Sequence, residues 1–296
     1  PSGGLHYVHR VTDDFRLGIT AASYFGLGID YGENWAGRYY TTEAEMLTYG
    51  VNPSAGYRVN NWLSLGAGFS ILYATLDQKA AINNSAVPGQ AGSPDGSVEL
   101  DDDDVAYGYN FGLMLTPRED TRIGFTYRSE IDLEFKDAAK LKDIGPVLQG
   151  LLNLSGLADS KLDIDMTMPQ AVMLSAYHQL TDRWAVMSNI GWQDWSEFGK
   201  QDLTLRSTNS TSFTKDLDYD DTWHFALGAQ YRFTEDWLWS VGAAYDTSPV
   251  DDADKVSPDL PLDRQIRIGT GVQYDWNKDV TVGVAYEYTD LGEADI

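Results

Sequence analysis

The chain repeats one pattern along most of its length. A run of alternating apolar and polar residues meets a turn of two to four polar residues, and a second alternating run follows. Turns of this kind lie at 59–62, 180–184, 233–237 and 276–280. Side chains of a strand point to opposite faces with period two, so each run predicts a strand with one apolar face. Strands joined by short turns at one end and long loops at the other are typical of a transmembrane β-barrel.

The alternation is clear in residues 63–73. The odd positions are apolar or aromatic, whereas the even positions are small or hydroxylated: Leu63, Leu65, Ala67, Phe69, Ile71 and Tyr73 against Ser64, Gly66, Gly68 and Ser70. A soluble sandwich would bury the apolar face, and a membrane barrel would turn it toward lipid. Runs of about ten residues are long enough to cross a bilayer when tilted.

Aromatic residues gather at the strand ends beside the short turns. They are Phe15, Trp62, Trp184, Trp237 and Trp276. Tryptophan and tyrosine prefer the membrane interface, where the ring is apolar and its polar atom is hydrated. This distribution favours the membrane barrel over the sandwich.

About twelve antiparallel strands are expected from this pattern. We place them at 4–11, 15–29, 44–59, 62–82, 98–117, 121–137, 162–180, 184–206, 212–233, 237–249, 263–276 and 279–291. With short turns in the periplasm and long loops outside, both ends of the chain would lie on the outer side. Known single-chain barrels place both ends in the periplasm. We therefore expect residues 1–296 to be a single, partial barrel domain that lacks a strand at each end.

The net charge of −24 argues against nucleic acid as a partner, because phosphate binding needs clustered lysine and arginine. We expect the acidic residues to concentrate in loops, for example at 101–104 and 251–252. A solvated surface is one interpretation of them, and a divalent-cation site is the other, since hard cations take oxygen ligands. The chain has no cysteine, so neither disulfides nor thiol chemistry contribute.

The long loop at 138–161 is unusually apolar. Its spacing predicts an amphipathic helix with Pro146 in the first turn. This helix packs over the barrel mouth, offers an apolar ligand a landing site, or does both, since exposed apolar patches usually mark binding surfaces. The residues assigned to this external groove are Ile144, Val147, Leu148, Leu151, Leu152, Leu154 and Leu157.

Catalysis is not expected. The four histidines are His6, His9, His178 and His224, and no nucleophile and base occur near them in a recognisable motif. No glycine-rich phosphate loop, HExxH motif or EF-hand loop is present in the sequence. We therefore expect neither an enzyme nor a cofactor.

Several short motifs, in a fixed order, resemble one known family. They are Asn34–Tyr39, Asn52–Asn60, Leu63–Gly68, Tyr127–Ile131, Tyr177–Leu180, Asp194–Ser196, Phe225–Gly228 and Tyr245–Val250. Together they resemble the FadL/toluene-X family of outer membrane transporters for long-chain fatty acids and aromatic hydrocarbons. The resemblance covers nearly the whole chain.

The resemblance implies a fourteen-stranded barrel plugged by an N-terminal hatch, and we expect residues 1–296 to lack the hatch and the end strands. The loops at 83–104 and 138–161 would form the external groove. The strand carrying Tyr24, Phe25 and Gly26 would kink inward and open the wall sideways. Many relatives have proline where this chain has Tyr24, so the kink would here depend on Gly26 and Gly28.

The resemblance also implies a lumenal pocket whose basic residues hold the ligand head group. We assign it to Lys79, Arg128, Asp220 and His224. Relatives often carry a basic residue where this chain has Asp220, and an aspartate there would repel a carboxylate. His224 replaces an arginine and is neutral or charged near pH 7. A neutral or weakly polar ligand therefore stays open beside a fatty acid.

The predicted function is passive uptake of hydrophobic small molecules across the bacterial outer membrane by a monomer surrounded by lipid and lipopolysaccharide. One alternative is a diffusion porin for polar solutes, with a charged ring formed by Arg122, Arg128, Glu130, Asp132, Glu134 and Lys136. The other is a structural or adhesive barrel whose acidic loops are the functional surface.

Overall fold

A computed structural model describes residues 3–138, 140–155, 161–206, 211–251, 256–258 and 260–292. This part of the chain is mostly antiparallel strands. In chain order they are β1 (Gly4–Arg10), β2 (Phe15–Asp30), β3 (Glu43–Arg58), β4 (Leu63–Ile82), β5 (Gly96–Arg118), β6 (Thr121–Arg128), β7 (Ile131–Ala138), β8 (Lys140–Lys142), β9 (Lys161–Met168), β10 (Ala171–Gln179), β11 (Trp184–Gln193), β12 (Lys200–Arg206), β13 (Thr211–Asp216), β14 (Thr222–Arg232), β15 (Trp237–Asp246), β16 (Gln265–Asn277) and β17 (Val280–Asp290). The α-helices are α1 (Pro146–Ser155) and α2 (Trp195–Phe198), and a 3₁₀ helix covers Asn84–Ala86.

Twelve strands form the wall of the barrel, as the sequence predicts. Their order is β1-β2-β3-β4-β5-β6-β10-β11-β14-β15-β16-β17, and β8 adds to the outer part of β5. One cavity is lined both by Arg16 on β2 and by Gly191 on β11, so the sheet curves around a lumen. Strands β1 and β17 are the two ends of this order. We call the ends of the barrel the short-turn end and the long-loop end after their connections.

The two faces of the wall follow the predicted alternation. On β4, for example, Phe69, Ile71 and Tyr73 are exposed on the outside, whereas Leu72 and Ala74 are buried on the inside. The outer face is therefore the apolar, lipid-facing surface expected of a membrane barrel. None of the described helices is long and apolar enough to cross a membrane.

Four strands leave the wall and form a second sheet, which we call the inner sheet. Its order is β13-β12-β9-β7. The strands predicted at 121–137, 162–180, 184–206 and 212–233 are therefore wrong as single elements, because each divides into a wall strand and an inner-sheet strand. The alternation does not reveal the division, since both sheets need one apolar face and period two continues through the bend.

The main hydrophobic core lies between the inner sheet and the inside of the wall at the long-loop end. Leu133 and Phe135 of β7 are almost fully buried, with exposed fractions of 0% and 2%. They belong to one cluster with Leu72 and Leu76 of β4 and Ile164 of β9. The apolar face of 131–135 therefore meets this core, and the expectation that it faces lipid is wrong.

The acidic run 101–104 lies within β5, so the expectation that it forms a loop is wrong. Asp104 accepts a hydrogen bond from the backbone N–H of Glu134 at 2.9 Å, and Asp102 accepts one from the backbone N–H of Lys136. These N–H groups belong to β7, the free edge of the inner sheet. The two carboxylates satisfy donors that an edge strand leaves unpaired. Among the described residues, no group of three carboxylates or imidazoles is placed to hold a metal ion, and Asp252 lies outside them.

Three carboxylates face one another across the polar side of the inner sheet. Asp165 of β9 is paired directly with Glu134 of β7 and with Asp202 of β12. Burial, followed by the charges of Glu134 and Asp163, raises the pKa of Asp165 above its ordinary value. Because the folded state binds the proton more tightly than the unfolded state, this carboxyl lowers stability as pH rises through its raised pKa.

Asp165→Asn is therefore expected to stabilise the inner sheet at neutral pH and to change little well below pH 4. Like charges directly opposite in a sheet cost about 0.2–1 kcal/mol each, so a gain of about that size is expected. Amide hydrogen exchange of β9 at pH 7.5 and pH 3.5 measures it. Asp216→Asn, an exposed carboxylate of β13, is the control. A loss of protection at pH 7.5 in Asp165→Asn would contradict the expectation.

Candidate functional site: an apolar pocket beneath the inner sheet

A cavity of about 290 Å³ lies between the inner sheet and the wall, and we call it the apolar pocket. Most of its lining is aromatic or aliphatic, with a few polar groups at one side. It is lined by Tyr24, Phe25, Ser70, Leu72, Arg128, Ser129, Ile131, Met168, Pro169, Gln193, Trp195 and Phe198. Concave, mostly apolar sites of about 300–1,000 Å³ with few polar groups are typical of small-molecule binding.

Three aromatic rings form one side of the apolar pocket. The ring centroids of Phe25 and Phe198 are 6.1 Å apart, and those of Trp195 and Phe198 are 5.0 Å apart in an edge-to-face arrangement. Phe198 is buried, with an exposed fraction of 3%. Aromatic pairs at this spacing stabilise each other beyond their burial. The pocket therefore has a rigid aromatic side.

Helix α2 brings two of these rings into place. Asp194, the residue before the helix, accepts hydrogen bonds from Ser196 Oγ at 3.0 Å and from Gln170 Nε2 at 2.9 Å. Gln170 in turn accepts a hydrogen bond from the hydroxyl of Tyr127 at 3.1 Å. This network joins the points where β6, β10 and β11 meet the inner sheet. It fixes the short turn from which Trp195 reaches the pocket.

A β-bulge on β2 brings Tyr24 and Phe25 into the pocket. The pairing of β2 with β3 shifts register between Ser23 and Phe25, so Tyr24 is the extra residue. A bulge of this kind places two successive side chains on the same side. The wall is thus irregular at the segment predicted to open sideways. The irregularity lies at Tyr24 and not at Gly26 or Gly28, and Gly26 faces outward.

Arg128 lies between the apolar pocket and a larger cavity of about 660 Å³ that extends toward the short-turn end. About half of the residues that line this larger cavity are small or hydroxylated, such as Gly18, Thr20 and Ser54. Tyr24 and Arg128 line both spaces. Within the described chain, the guanidinium of Arg128 makes no hydrogen bond and no ion pair. This guanidinium is therefore an uncompensated cation at the polar side of the apolar pocket.

Two other residues assigned to the lumenal pocket lie elsewhere. Lys79 is an odd-numbered residue of β4 and therefore lies on the outward face of this strand. Its Nζ lies 3.4 Å from Glu33 and 3.9 Å from Glu99. Asp220 is exposed in the connection before β14, where its N–H donates to the carbonyl of Pro249. Neither lines the apolar pocket or the larger cavity.

His224 faces the lumen, where it belongs to a hydrogen-bond network separate from the apolar pocket. Its Nδ1 lies 2.8 Å from Asp246 Oδ1, and Arg267 contacts the other carboxylate oxygen at 2.5 Å. All three residues lie on the β14–β16 side of the barrel, and none lines the apolar pocket. Of the four predicted lumenal residues, only Arg128 is part of it.

The predicted helix of the long loop is present as α1, and it begins at Pro146 as expected. None of its residues is buried. Val147, Leu151 and Leu154 have exposed fractions of 41%, 54% and 87%. Ile144, Leu148 and Leu152 are half-buried, and Leu157 lies outside the described residues. The helix therefore has an exposed apolar stripe beside a half-buried apolar face.

The two loops expected to form the external groove are joined by Asn84. Its Nδ2 donates to the carbonyls of Pro94 and Asp143 at 2.9 and 2.8 Å, and its Oδ1 accepts from the N–H of Gly145 at 3.0 Å. Asn84 is buried, with 2% of its surface exposed. This side chain anchors the segment that leads into α1.

A second contact joins the loop after β2 to the loop after β4. Arg38 Nε donates to Asp95 Oδ2 at 2.9 Å, and the hydroxyl of Tyr39 donates to the same carboxylate. The hydrogen bond from Arg38 holds the pKa of Asp95 below its usual range. This contact is therefore retained until the pH falls below the ordinary range of aspartate.

Sequence reasoning missed most of the aromatic and aliphatic lining, in particular Ile131, Trp195 and Phe198. Trp195 lies within a motif, Asp194–Ser196, that contributes to the family resemblance. That motif was the available signal, but it carries no information about where the side chain points.

The fold and the pocket together define an outer membrane β-barrel with an apolar site inside it. A sequence profile described as "Outer membrane protein transport protein (OMPP1/FadL/TodX)" matches residues 3–296. The chain belongs to this family of outer membrane transport proteins. The family is one of transporters, which agrees with the expectation that the chain is not an enzyme.

Relatives and solved structures agree with this assignment. The chain is 30% identical over 307 residues to the "Long-chain fatty acid transport protein" of Escherichia coli O6:H1, covering 96% of this chain and 68% of that protein. A crystal structure of a Pseudomonas aeruginosa FadL homologue matches with a TM-score of 0.82 and 24% identity, over 97% of this chain and 68% of that one. The Pseudomonas putida toluene transporter TodX matches with a TM-score of 0.67 and 20% identity, over 96% and 74%. The two structures support the barrel fold.

Proposed function

We propose that the protein takes up hydrophobic small molecules, long-chain fatty acids or hydrocarbons, across the outer membrane by way of the apolar pocket. The observation that carries this proposal is a mostly apolar cavity inside the barrel, next to a guanidinium without a protein counter-ion. Each CH₂ group that a ligand buries there contributes about 0.8 kcal/mol. The names of the relatives, which include fatty acid and toluene transporters, support the same substrate class.

The route has three steps. An apolar ligand first adsorbs on the exposed stripe of α1 at the long-loop end, which we place outside the cell. It then enters the apolar pocket, where Phe25, Ile131 and Phe198 contact the chain and Arg128 pairs with an anionic head group. It leaves sideways at the bulge of β2 and enters the bilayer. A monomer surrounded by lipid and lipopolysaccharide remains our expectation.

A diffusion porin fits the structure less well. The residues Glu130, Asp132, Glu134 and Lys136, which would form the charged ring, belong to the inner sheet or to the bend that leads into it. Lys136 pairs with Glu134 within that sheet. The hydrophobic core joining the inner sheet to the wall lies across the long-loop end, where a polar solute would have to pass.

The proposal is tested by uptake into liposomes that contain the protein. Leu151→Asp with Leu154→Asp alters the most exposed apolar residues of α1 and leaves the core intact. We expect saturable uptake of a long-chain fatty acid or a neutral aromatic hydrocarbon in the parent protein. Removing about two apolar contacts should weaken apparent affinity about tenfold or more.

Gln149→Asp with Asn153→Asp is the matched control, because it adds the same charge to the polar positions of α1. Uptake by this control should resemble that of the parent. Passage of a small sugar without saturable uptake of either apolar compound would show that the porin alternative is correct. Equal loss in both double variants would show that charge, not the apolar stripe, is responsible.

A further inference from the structure

The wall between β2 and β3 is closed by a side chain at one point. Thr48 of β3 is fully buried, with an exposed fraction of 0%. Its Oγ1 accepts a hydrogen bond from the backbone N–H of Phe25 at 2.8 Å and donates one to the carbonyl of Phe25 at 3.3 Å. One hydroxyl therefore satisfies both backbone groups of the residue that follows the bulge.

The contact between β3 and its other neighbour, β4, also includes a side-chain hydrogen bond. Pairing with β4 continues up to Val51 and resumes at Ser54, and the two residues between them are unpaired on that side. Pro53 has no N–H to donate. Across this gap, Asn52 Nδ2 donates to Ser70 Oγ at 2.9 Å. On the β2 side the ladder of β3 is interrupted only at the bulge, and on the β4 side only at 52–53, and a side-chain hydrogen bond lies at each of these two points.

Tyr24 covers the same part of the wall from inside. A Cβ atom at Gly50 would lie 2.3 Å from the ring of Tyr24, so the absence of a side chain at position 50 makes room for that ring. Tyr24 lines the apolar pocket, whereas Thr48 and Gly50 do not. The ring thus separates the pocket from the irregular stretch of wall behind it.

We propose that Thr48 is a positioning residue that holds the wall shut at the bulge, so that ligand leaves the apolar pocket only when its two hydrogen bonds to Phe25 break. This inference rests on the proposed function. Breaking these bonds frees Phe25 from β3, and the ring of Tyr24 moves off Gly50. A gap then joins the pocket to the bilayer, and the same two bonds close it again after the ligand has passed.

Thr48→Val tests the proposal because it keeps the shape of the side chain and removes the hydroxyl. Losing both side-chain hydrogen bonds to the backbone of Phe25 should speed hydrogen exchange of the Phe25 amide about tenfold or more. The maximal rate of uptake into liposomes should rise several-fold, with the half-saturating concentration unchanged, since the lining of the pocket is intact. Thr48→Ser retains the hydroxyl and should resemble the parent.

Thr75→Val is the matched control, because Thr75 undergoes the same chemical change on the outward face of β4, opposite Leu47. The proposal is overturned if Thr48→Val equals Thr75→Val in exchange at Phe25 and in maximal rate. It is also overturned if Thr48→Ser behaves like Thr48→Val, because burial and not the hydroxyl would then be the cause.

A disulfide between β2 and β3 is the opposite test, because it would hold the wall shut. Ser23 and Tyr49 are paired directly across β2 and β3, just before the bulge, and the chain has no cysteine of its own. In Ser23→Cys with Tyr49→Cys, the oxidised protein should stop passing ligand into the bilayer while it still binds ligand in an equilibrium binding measurement. Reduction should restore passage. Unchanged passage after complete oxidation would overturn the proposal.

These measurements separate the two levels of inference. If the parent protein shows no saturable uptake of an apolar compound, the proposed function fails, and exchange at Phe25 alone then decides whether Thr48 holds the wall. If the parent takes up ligand and both Thr48→Val and the cross-link leave passage unchanged, only the role of Thr48 fails.

Discussion

Arg128→Met is expected to remove the preference for an anionic ligand while leaving uptake of a neutral hydrocarbon intact. Arg128 lines the apolar pocket and has no partner within the described chain, so a carboxylate would be its counter-ion. Hydrogen bonds to charged groups contribute about 1.5–3 kcal/mol, which corresponds to roughly a 10- to 100-fold loss of affinity. Competition between a fatty acid and a neutral aromatic hydrocarbon for uptake measures the change.

Arg122→Met provides the control for this experiment. Arg122 lies on the same strand, nearer the short-turn end, with its guanidinium 5.7 Å from the ring centroid of Tyr177. It does not line the apolar pocket. If both variants lose fatty acid uptake equally, the effect comes from the charge of the lumen as a whole. If Arg128→Met loses both ligands, the residue supports the fold of the pocket and does not select the head group.

Phe135→Ala is expected to have the largest effect on stability. The side chain is 2% exposed and lies in the core between the inner sheet and the wall. Truncating a buried phenylalanine typically costs about 3–5 kcal/mol. Because the wall keeps its own hydrogen bonds, we expect the inner sheet to lose most of the stability. Amide exchange of β7 and β9, compared with that of β14 and β15, measures this difference.

Phe213→Ala is the matched control, because Phe213 belongs to the same inner sheet but is 56% exposed. Surface substitutions usually change stability by no more than about 0.5 kcal/mol. Protection lost equally from wall and inner sheet in Phe135→Ala would show that the two sheets unfold as one unit. No loss in either sheet would contradict the assignment of this cluster as the core.

The wall was predictable because a membrane imposes one strict rule on it. Each wall strand needs an apolar face toward lipid, so Phe69, Ile71 and Tyr73 identify their strand without any knowledge of its neighbours. The helix α1 was predictable for a similar reason, since its spacing and Pro146 act locally. These features depend on residues close together in the chain.

The pocket was less predictable because it depends on partners far apart in the chain. Ile131 has the apolar alternation of a lipid-facing residue, yet it faces the core because β7 leaves the wall. The bulge at Tyr24 reverses which face of the wall the odd-numbered residues of β2 occupy. These residues are mostly apolar both before and after the bulge, so the sequence does not show the reversal. Lys79, in contrast, shares its parity with the exposed Tyr73, and the alternation itself places it outside.

The division of the chain into wall and inner sheet separates two evolutionary constraints. Lipid-facing positions such as Phe69 must stay apolar for the barrel to insert, whereas Ile131, Met168 and Phe198 touch no lipid. Substitutions at these inner positions can reshape the apolar pocket without affecting insertion. A single barrel scaffold of this kind can therefore diversify the compounds that it admits, while the surface recognised by the membrane remains the same.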